Sequence, residues 1–127
     1  MDALSSGVIP FRRVDGRLEV LLVTSTKNQR WVIPKGRIEP NMTALQSAIL
    51  EAFEEAGVEG RTEETLLGTY QRRGRTVLVF PMEVVDVLNT WPEQNLRARR
   101  WFPIDQAITE VEEHSLKAIL QGLARQR

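Results

Sequence analysis

The sequence predicts an α/β fold of the α+β kind, in which a mixed β-sheet lies between helices. Short apolar runs typical of strands lie on both sides of one segment with helical periodicity, and a second helical segment closes the chain. Strands and helices alternate too little for a doubly wound parallel sheet. The chain has 127 residues, and we expect residues 1–127 to form one domain around a single core.

The first elements are predicted strands. The runs GVIPFRR and LEVLLVT are separated by residues 14–17, whose Asp-Gly pair is a turn signal, so the two runs predict a hairpin. WVIP predicts a third short strand. Pro34, Gly36, Pro40 and Asn41 then break regular structure and predict a loop.

A helix of about four turns is predicted to follow this loop. Thr43 and Gln46 have the spacing of a capping box, and Gly57 is a typical C-terminal stop. Between them, apolar residues recur at helical spacing and predict the buried stripe Leu45, Ala48, Ile49, Ala52 and Ala56.

The second half of the chain predicts more strands and a closing helix. TLLGTYQRR and RTVLVFPMEVVDV read as strands around a turn at Gly74, and RRWFPI reads as a shorter strand. Pro81 predicts an edge position or a bulge. The C-terminal helix is indicated by an amphipathic pattern of Leu116, Ile119, Leu120 and Leu123.

The overall composition excludes several functional classes. Lysine plus arginine and aspartate plus glutamate each number 17, so the zero net charge gives no global field for nucleic acid or a membrane surface. There is no cysteine, which excludes disulfides, thiolate metal sites and a cysteine nucleophile. The N-terminal residues MDALSSGVIPF resemble neither a secretory signal nor a membrane span. We therefore expect a cytoplasmic protein, monomeric or homodimeric, that does not bind membranes or nucleic acid.

Three glutamates are concentrated at the end of the predicted helix, in EAFEEAGV. At about 100° per residue, Glu51, Glu54 and Glu55 share one face, away from the apolar stripe. Their mutual repulsion and the helix macrodipole both disfavour these charges. A divalent cation such as Mg²⁺ or Mn²⁺ would turn the repulsion into a binding site, whereas the alternative is a solvated acidic face.

The segment GRIEPNMTALQSAILEAFEEAGV resembles the signature of the Nudix hydrolases, from Gly36 to Val58 without insertion or deletion. The matching positions are Gly36, Glu51, Ala52, Glu54, Glu55, Gly57 and Val58. Met42 and Leu50 depart from it, because the family has glutamate and arginine there. The flanking segments look like the branch that cleaves diphosphoinositol polyphosphates and diadenosine polyphosphates.

The resemblance implies a Nudix-type α/β/α sandwich and metal-dependent hydrolysis of a phosphoanhydride in a phosphorylated small molecule. It implies that Glu51, Glu54 and Glu55 are catalytic and hold Mg²⁺ or Mn²⁺, helped by a backbone carbonyl, for which we choose Lys35. Glu51 is our first choice for a joint role as metal ligand and base. Glu93 is a candidate further acid, although a surface glutamate is the simpler interpretation.

Eight basic residues in three short segments could supply a polyanion site, with arginine forks suited to phosphate oxygens. They are Lys35, Arg37, Arg72, Arg73, Arg75, Arg97, Arg99 and Arg100. Lys35, Arg37, Arg73 and Arg75 are the predicted substrate-binding residues, and we expect about half of the eight to point into water instead. Trp31 and Trp101 are expected to be core or rim aromatics, and His114 to be solvated.

The departures at Met42 and Leu50 leave two functions open. In the family, the box arginine is thought to orient a catalytic glutamate, and leucine cannot donate that hydrogen bond. Arg73 or Arg75 could take over this role in an active enzyme. Alternatively, the chain is a weakly active or silent Nudix domain that binds phosphorylated ligands as a regulatory module.

Overall fold

The computed structural model describes residues 3–126. The strands are β1 (Ala3–Val14), β2 (Arg17–Thr24), β3 (Trp31–Val32), β4 (Lys35–Arg37), β5 (Val58–Thr62), β6 (Gly68–Arg72), β7 (Arg75–Val87) and β8 (Arg99–Pro103). The helices are α1 (Ala44–Glu51), α2 (Ile104–Glu110) and α3 (His114–Arg125), and a π-helical turn (Ala52–Ala56) continues α1. Among the described helices, none has the length and apolar content needed to cross a membrane.

The eight strands form one mixed sheet. Its central path runs in the order β3-β2-β1-β7-β5, while β4 pairs with β1, β6 with β7 and β8 with β2. The β1–β7 pair is parallel and the other pairs are antiparallel. The sheet lies between helices, which confirms the predicted fold class.

Alternation along the central strands divides the core into two layers. In β1, Val8 packs with the alanines of α1 and the π-helical turn, whereas the next residue, Ile9, packs with α2 and α3. In β2, Leu21 faces the first layer and Leu22 the second. The near-continuous apolar runs of the sequence therefore reflect strands that are buried on both faces.

Local signals in the sequence were reliable guides to several elements. The hairpin turns at Asp15 and Gly16, which have positive φ angles of 52° and 79°. Thr43 and Gln46 form the predicted capping box, with both reciprocal hydrogen bonds. Gly57 ends the helical segment with a φ of 64°, in the left-handed region that favours glycine. The strands around Gly74 and the C-terminal helix are also confirmed.

Three short elements differ from the prediction. Residues 35–37, expected in a loop, form β4 by pairing with Ser5–Gly7 of β1. β5 and α2 were not predicted, because β5 buries only Val58 and α2 has seven residues, too few for a clear helical period. The backbone of β5 is held by its pairing with β7 rather than by local preference.

The helix and Pro81 also differ from expectation. The last part of the helix is π-helical, and Ile49, predicted in the buried stripe, is 38% exposed. Pro81 lies in β7, which is an interior strand rather than an edge. Proline is tolerated there because β7 changes partner at this point, from β6 at Val79 to β5 at Met82.

Candidate active site

Glu55, in the π-helical turn, has a buried side chain with partners on both carboxyl oxygens. The residue is only 5% exposed. The backbone N–H of Lys35 donates to its Oε1 at 3.2 Å, and Nη2 of Arg97 lies 3.4 Å from its Oε2. The carboxyl group of Glu51, one turn earlier, is close enough to Glu55 for each group to influence the pKa of the other. At the predicted 100° per residue, side chains four positions apart point in somewhat different directions. A π-helical turn holds more residues than an α-helical turn, so it brings the directions of Glu51 and Glu55 closer together.

The environment of this pair favours retention of a proton in the absence of metal. Burial and the contact with Glu51 together raise the pKa of Glu55 to about 8, although Arg97 and the Lys35 N–H act in the opposite direction. Burial also raises the pKa of Glu51, as do the negative charges of Glu54 and Glu93. Two carboxyl groups sharing one site cannot both ionise readily, and a divalent cation relieves that repulsion.

The donor chemistry of this pair fits Mg²⁺ or Mn²⁺. Within residues 3–126, no group of three or more His, Cys, Asp or Glu side chains is arranged to hold a metal ion. Glu54 is near enough to influence Glu51, but its role as a third ligand stays a prediction, as does that of the Lys35 carbonyl. Mg²⁺ is commonly held by one or two carboxylates with several retained waters, and two carboxyl groups in contact, such as Glu51 and Glu55, fit that requirement.

Gly36 brings the backbone of β4 against this carboxyl pair. A Cβ atom built on Gly36 would lie 2.4 Å from the Cδ and Oε2 atoms of Glu51. Such a distance is far below van der Waals contact, so any side chain at position 36 displaces the Glu51 carboxyl group. The glycine of the predicted loop is therefore required for close approach between β4 and α1.

The end of the helical segment is capped by residues from a distant part of the chain. Nη1 of Arg99 donates to the carbonyl of Ala56 at 2.9 Å, and its Nη2 donates to that of Leu88 at 2.6 Å. The Arg99 guanidinium lies 3.7 Å from the ring centroid of Trp91, whose Nε1 donates to the Glu55 carbonyl at 3.1 Å. A cation at this end offsets the macrodipole that disfavours the glutamates.

The four predicted substrate-binding residues line one cavity of about 280 Å³. Its lining includes Lys35, Arg37, Arg73 and Arg75. A second cavity, of about 160 Å³, is lined by Lys35, Arg73, Glu55 and Arg97 among others. Because the two cavities share Lys35, Arg72 and Arg73, we refer to them together as the basic cleft.

The cations of the basic cleft are not equally available to a ligand. Arg75 donates from Nε to Ser5 Oγ at 2.8 Å and from Nη2 to the Leu4 carbonyl at 3.0 Å. Arg72 is paired with Glu113. In contrast, Lys35, Arg37 and Arg73 form no side-chain ion pair with the residues that the structure describes. These three are the stronger candidates for phosphate contacts.

Arg97 and Glu93 have structural roles that the sequence did not indicate. Nε of Arg97 is 2.7 Å from Oε1 of Glu93, whose backbone N–H donates to the Glu54 carbonyl at 3.0 Å. Glu93 is thus half-buried beside the helix end and is not a plain surface glutamate. The only signal in the sequence was the four-residue spacing of Glu93 and Arg97, which favours an ion pair between them. Their contacts with the helix end could not be predicted, because they join distant parts of the sequence. Arg100, by contrast, is exposed and lies over the ring of Phe102.

The two departures from the family signature, Met42 and Leu50, lie together. Both line a shallow, mostly apolar groove with Ile49 and Phe53. The family has a glutamate and an arginine at these positions, so a pair of opposite charges is replaced here by two apolar side chains. Exchange of a charged pair for apolar residues of similar size is often neutral or stabilising, whereas a change at one position alone is costly.

We predict that Leu50→Arg leaves turnover unchanged or lowers it, because the new guanidinium enters an apolar groove beside Met42 rather than the Glu51–Glu55 site. The single variant should also be less stable, and Met42→Glu combined with Leu50→Arg should recover part of that loss. Urea unfolding of both single variants and the double variant measures the coupling, which we expect at about 0.5–1 kcal/mol for a partly exposed pair. Higher turnover in the single variant would contradict this assignment.

The raised pKa of Glu55 predicts how the stability of the metal-free protein depends on pH. Between about pH 4.5 and 8, folded Glu55 keeps a proton that the unfolded chain releases, so the free energy of unfolding falls as pH rises. The contribution is fully present below pH 4.5 and lost above about pH 8. Thermal unfolding in a chelator checks this result, with Glu55→Gln as control, because the variant lacks the Glu55 proton and should lose most of this pH dependence.

Comparison with known proteins identifies relatives of the whole region. The family model described as the NUDIX domain matches residues 1–121. Nudix hydrolase 13, mitochondrial, of Arabidopsis thaliana is 34% identical over 131 residues, covering 83% of this chain and 65% of that protein. Diphosphoinositol polyphosphate phosphohydrolase 3-beta of Bos taurus is 35% identical over 102 residues, which cover 76% of this chain and 62% of the bovine protein. The chain thus spans just under two thirds of the length of these two relatives.

The fold is shared with solved structures. The crystal structure of C. elegans Ap4A hydrolase superposes with a TM-score of 0.80 at 21% identity, covering 98% of this chain and 97% of the other. This likeness confirms the sandwich architecture that the sequence resemblance implied.

The expectation of a cytoplasmic protein was wrong in the light of these relatives. Five of the Arabidopsis relatives are named mitochondrial and a sixth chloroplastic, so the names of these relatives do not support the cytoplasm. The expectation failed because the absence of cysteine excludes a disulfide framework but does not distinguish the cytoplasm from an organelle.

With its signature segment, its fold and a family match over residues 1–121, the chain belongs to the NUDIX domain family.

Proposed function

We propose that the protein is a metal-dependent pyrophosphohydrolase that acts on a polyphosphorylated small molecule. The observation that carries the proposal is the 160 Å³ cavity, which is lined both by Glu55 and by the cations Lys35 and Arg73. Phosphoanhydride hydrolysis needs these two features together, because the phosphate oxygens must be neutralised where a carboxylate meets the attacking water. We also propose that residues 1–127 act as one hydrolase domain.

In this mechanism, Glu51 and Glu55 would hold Mg²⁺ or Mn²⁺, which supplies charge neutralisation on the phosphate oxygens. Glu51, half-buried beside Glu55, accepts the proton of the attacking water. The water oxygen forms a new bond to phosphorus as the bridging P–O bond breaks, and the leaving phosphate retains the bridging oxygen. Lys35, Arg37 and Arg73 bind the phosphates on either side of the reacting bond.

The cations of the basic cleft favour a substrate with several phosphates. Lys35 and Arg73 line both cavities and Arg37 lines the larger one, so three cations without a described ion pair are available to a polyphosphate. The names of the diphosphoinositol polyphosphate phosphohydrolases and of the Ap4A hydrolase support the same class. We propose dinucleoside polyphosphates and diphosphoinositol polyphosphates as the leading substrates.

A substrate panel tests the proposal. Phosphate release is measured with Mg²⁺ or Mn²⁺ for dinucleoside polyphosphates, diphosphoinositol polyphosphates, sugar nucleotides and nucleoside triphosphates. We expect turnover of at least one of the first two classes, and its loss in EDTA. Binding of these compounds without turnover of any of them would contradict the enzyme proposal and favour a ligand-binding regulatory module.

We predict that Arg73→Gln raises KM for the best substrate about tenfold with little change in kcat, because Arg73 is exposed in the cleft and makes no described ion pair. Arg17→Gln is the matched control. Arg17 is also exposed, but it begins β2 at the opposite end of β1 from the cleft, about 30 Å away at strand spacing. Equal effects of the two substitutions would show that general charge, rather than contact, is responsible.

A further inference from the structure

Arg97 contacts two acidic side chains and a strand, each through a different nitrogen atom of its guanidinium group. Its Nη2 lies 3.4 Å from Oε2 of Glu55, and its Nε lies 2.7 Å from Oε1 of Glu93. Its Nη1 donates to the carbonyl of Thr24, at the end of β2, at 3.0 Å. The side chain is only 15% exposed, so this is an ordered internal contact rather than a surface ion pair.

The contacts of Glu55 with Arg97 and Lys35 fix the orientation of its carboxyl group. One carboxyl oxygen accepts from the backbone of Lys35 and the other faces Arg97, so rotation of the carboxyl plane would break one contact or the other. Because the Thr24 carbonyl holds Nη1, the guanidinium itself cannot turn freely. A planar fork with fixed directions is better suited to this task than a lysine ammonium group.

The helix itself offers no substitute for this contact. Leu50 lines the apolar groove with Met42 and has no hydrogen-bond donor. Within the described part of the chain, neither Arg73 nor Arg75, the residues expected to take over orientation, pairs with a glutamate, and Arg75 donates to Ser5 and Leu4 instead.

We propose that Arg97 is a positioning residue, which aligns Glu55 for metal binding and, through Glu93, holds a further acid beside the Glu51–Glu55 pair. The proposal rests on the proposed function, because it concerns the same site. Arg97 does not touch the substrate in this account. It acts through the two carboxylates, so its removal should weaken metal binding and lower kcat with little effect on KM.

The test compares Arg97→Gln, Arg97→Lys and Arg100→Gln. Arg100 is the matched control, since it is three residues away, is exposed and contacts Phe102 rather than the glutamates. Mn²⁺ binding to each protein is measured by titration calorimetry without substrate, together with the thermal unfolding midpoint. Kinetics with the best substrate of the panel then separate kcat from KM.

We expect Arg97→Gln to weaken Mn²⁺ binding about 10- to 100-fold and to lower kcat by a similar factor, as is typical when the partner of a metal ligand is lost. Arg97→Lys should recover part of both, because it keeps the charge but not the fork. Arg100→Gln should bind Mn²⁺ as the unmodified protein does. If Arg97→Gln does not fold, Arg97→Lys alone tests whether the planar guanidinium group is needed.

Any one of three results would overturn the inference. Unchanged or tighter Mn²⁺ binding in Arg97→Gln would show that the guanidinium competes with the metal instead of aligning its ligands. Full Mn²⁺ affinity in Arg97→Lys would show that charge alone is enough. The metal titration tests the role of Arg97 even if the unmodified protein hydrolyses nothing on the panel. If the unmodified protein is active and Arg97→Gln has the same kcat, the inference is rejected and the proposed function stands.

Discussion

Replacement of Glu55 by glutamine is expected to lower kcat at least a hundredfold while leaving the fold intact. An amide oxygen is a poorer ligand for a hard cation than a carboxylate, and it carries no charge to balance the ion. Glutamine has nearly the same size, so the side chain can still accept from the Lys35 N–H and lie beside Arg97. The loss should therefore appear in metal binding and turnover and not in packing.

The stability of the same variant provides an independent check. Buried Glu55 holds its proton with a pKa of about 8, so ionisation above that pH carries a desolvation cost that glutamine avoids. At pH 9 without metal, we expect the thermal midpoint of Glu55→Gln to equal or exceed that of the unmodified protein. Glu59→Gln, an exposed change on β5, is the matched control and should alter neither property. Retention of more than a tenth of the activity in Glu55→Gln would contradict its catalytic assignment.

Gly36→Ala is expected to reduce kcat/KM about a hundredfold with a change in unfolding free energy below about 1 kcal/mol. The added Cβ would lie 2.4 Å from the Glu51 carboxyl group, so that group must move. Because the obstacle is the end of a flexible side chain, the backbone need not shift. A displacement of about an ångström in a catalytic group is enough to cause the kinetic loss.

The control for this substitution is Gly122→Ala. Gly122 lies inside α3 and a Cβ there meets no atom within 4 Å. Alanine is about 0.8–1 kcal/mol more favourable than glycine in a helix, so this variant should be slightly more stable and fully active. Chemical denaturation and steady-state kinetics on both variants separate an effect on the site from an effect on the fold. Gly36→Ala with normal kinetics would mean that Glu51 does not need its present position.

The parts of the fold that were predictable from sequence depend on neighbours in the chain. Asp15-Gly16 specifies a tight turn, Thr43 and Gln46 cap a helix, and Gly57 ends it, each through contacts within a few residues. β4 and β5 could not be predicted in this way, because their backbone geometry comes from pairing with β1 and β7. The π-helical turn likewise has no local signal in AFEEA.

The same distinction applies to the candidate site. The carboxylates and the basic residues were identifiable because their residue types and spacing indicate their chemistry, and five of the eight cations do line one cavity. The roles of Arg97 and Arg99 were not identifiable, because each acts on the helix end from a segment about forty residues later. Sequence indicated which charges were present, but their pairing depends on the tertiary structure.

The parallel pairing of β1 with β7 determines when this protein can fold during synthesis. β1 lies at the centre of the sheet, yet the strand beside it, paired from Ala3–Arg75 to Phe11–Glu83, belongs to the other half of the chain. Contacts between such distant segments form slowly because a long loop must close first. A nascent chain that ends before β7 therefore exposes one edge of β1, a template for aggregation, and the ribosome must release Arg75 before the cleft can assemble.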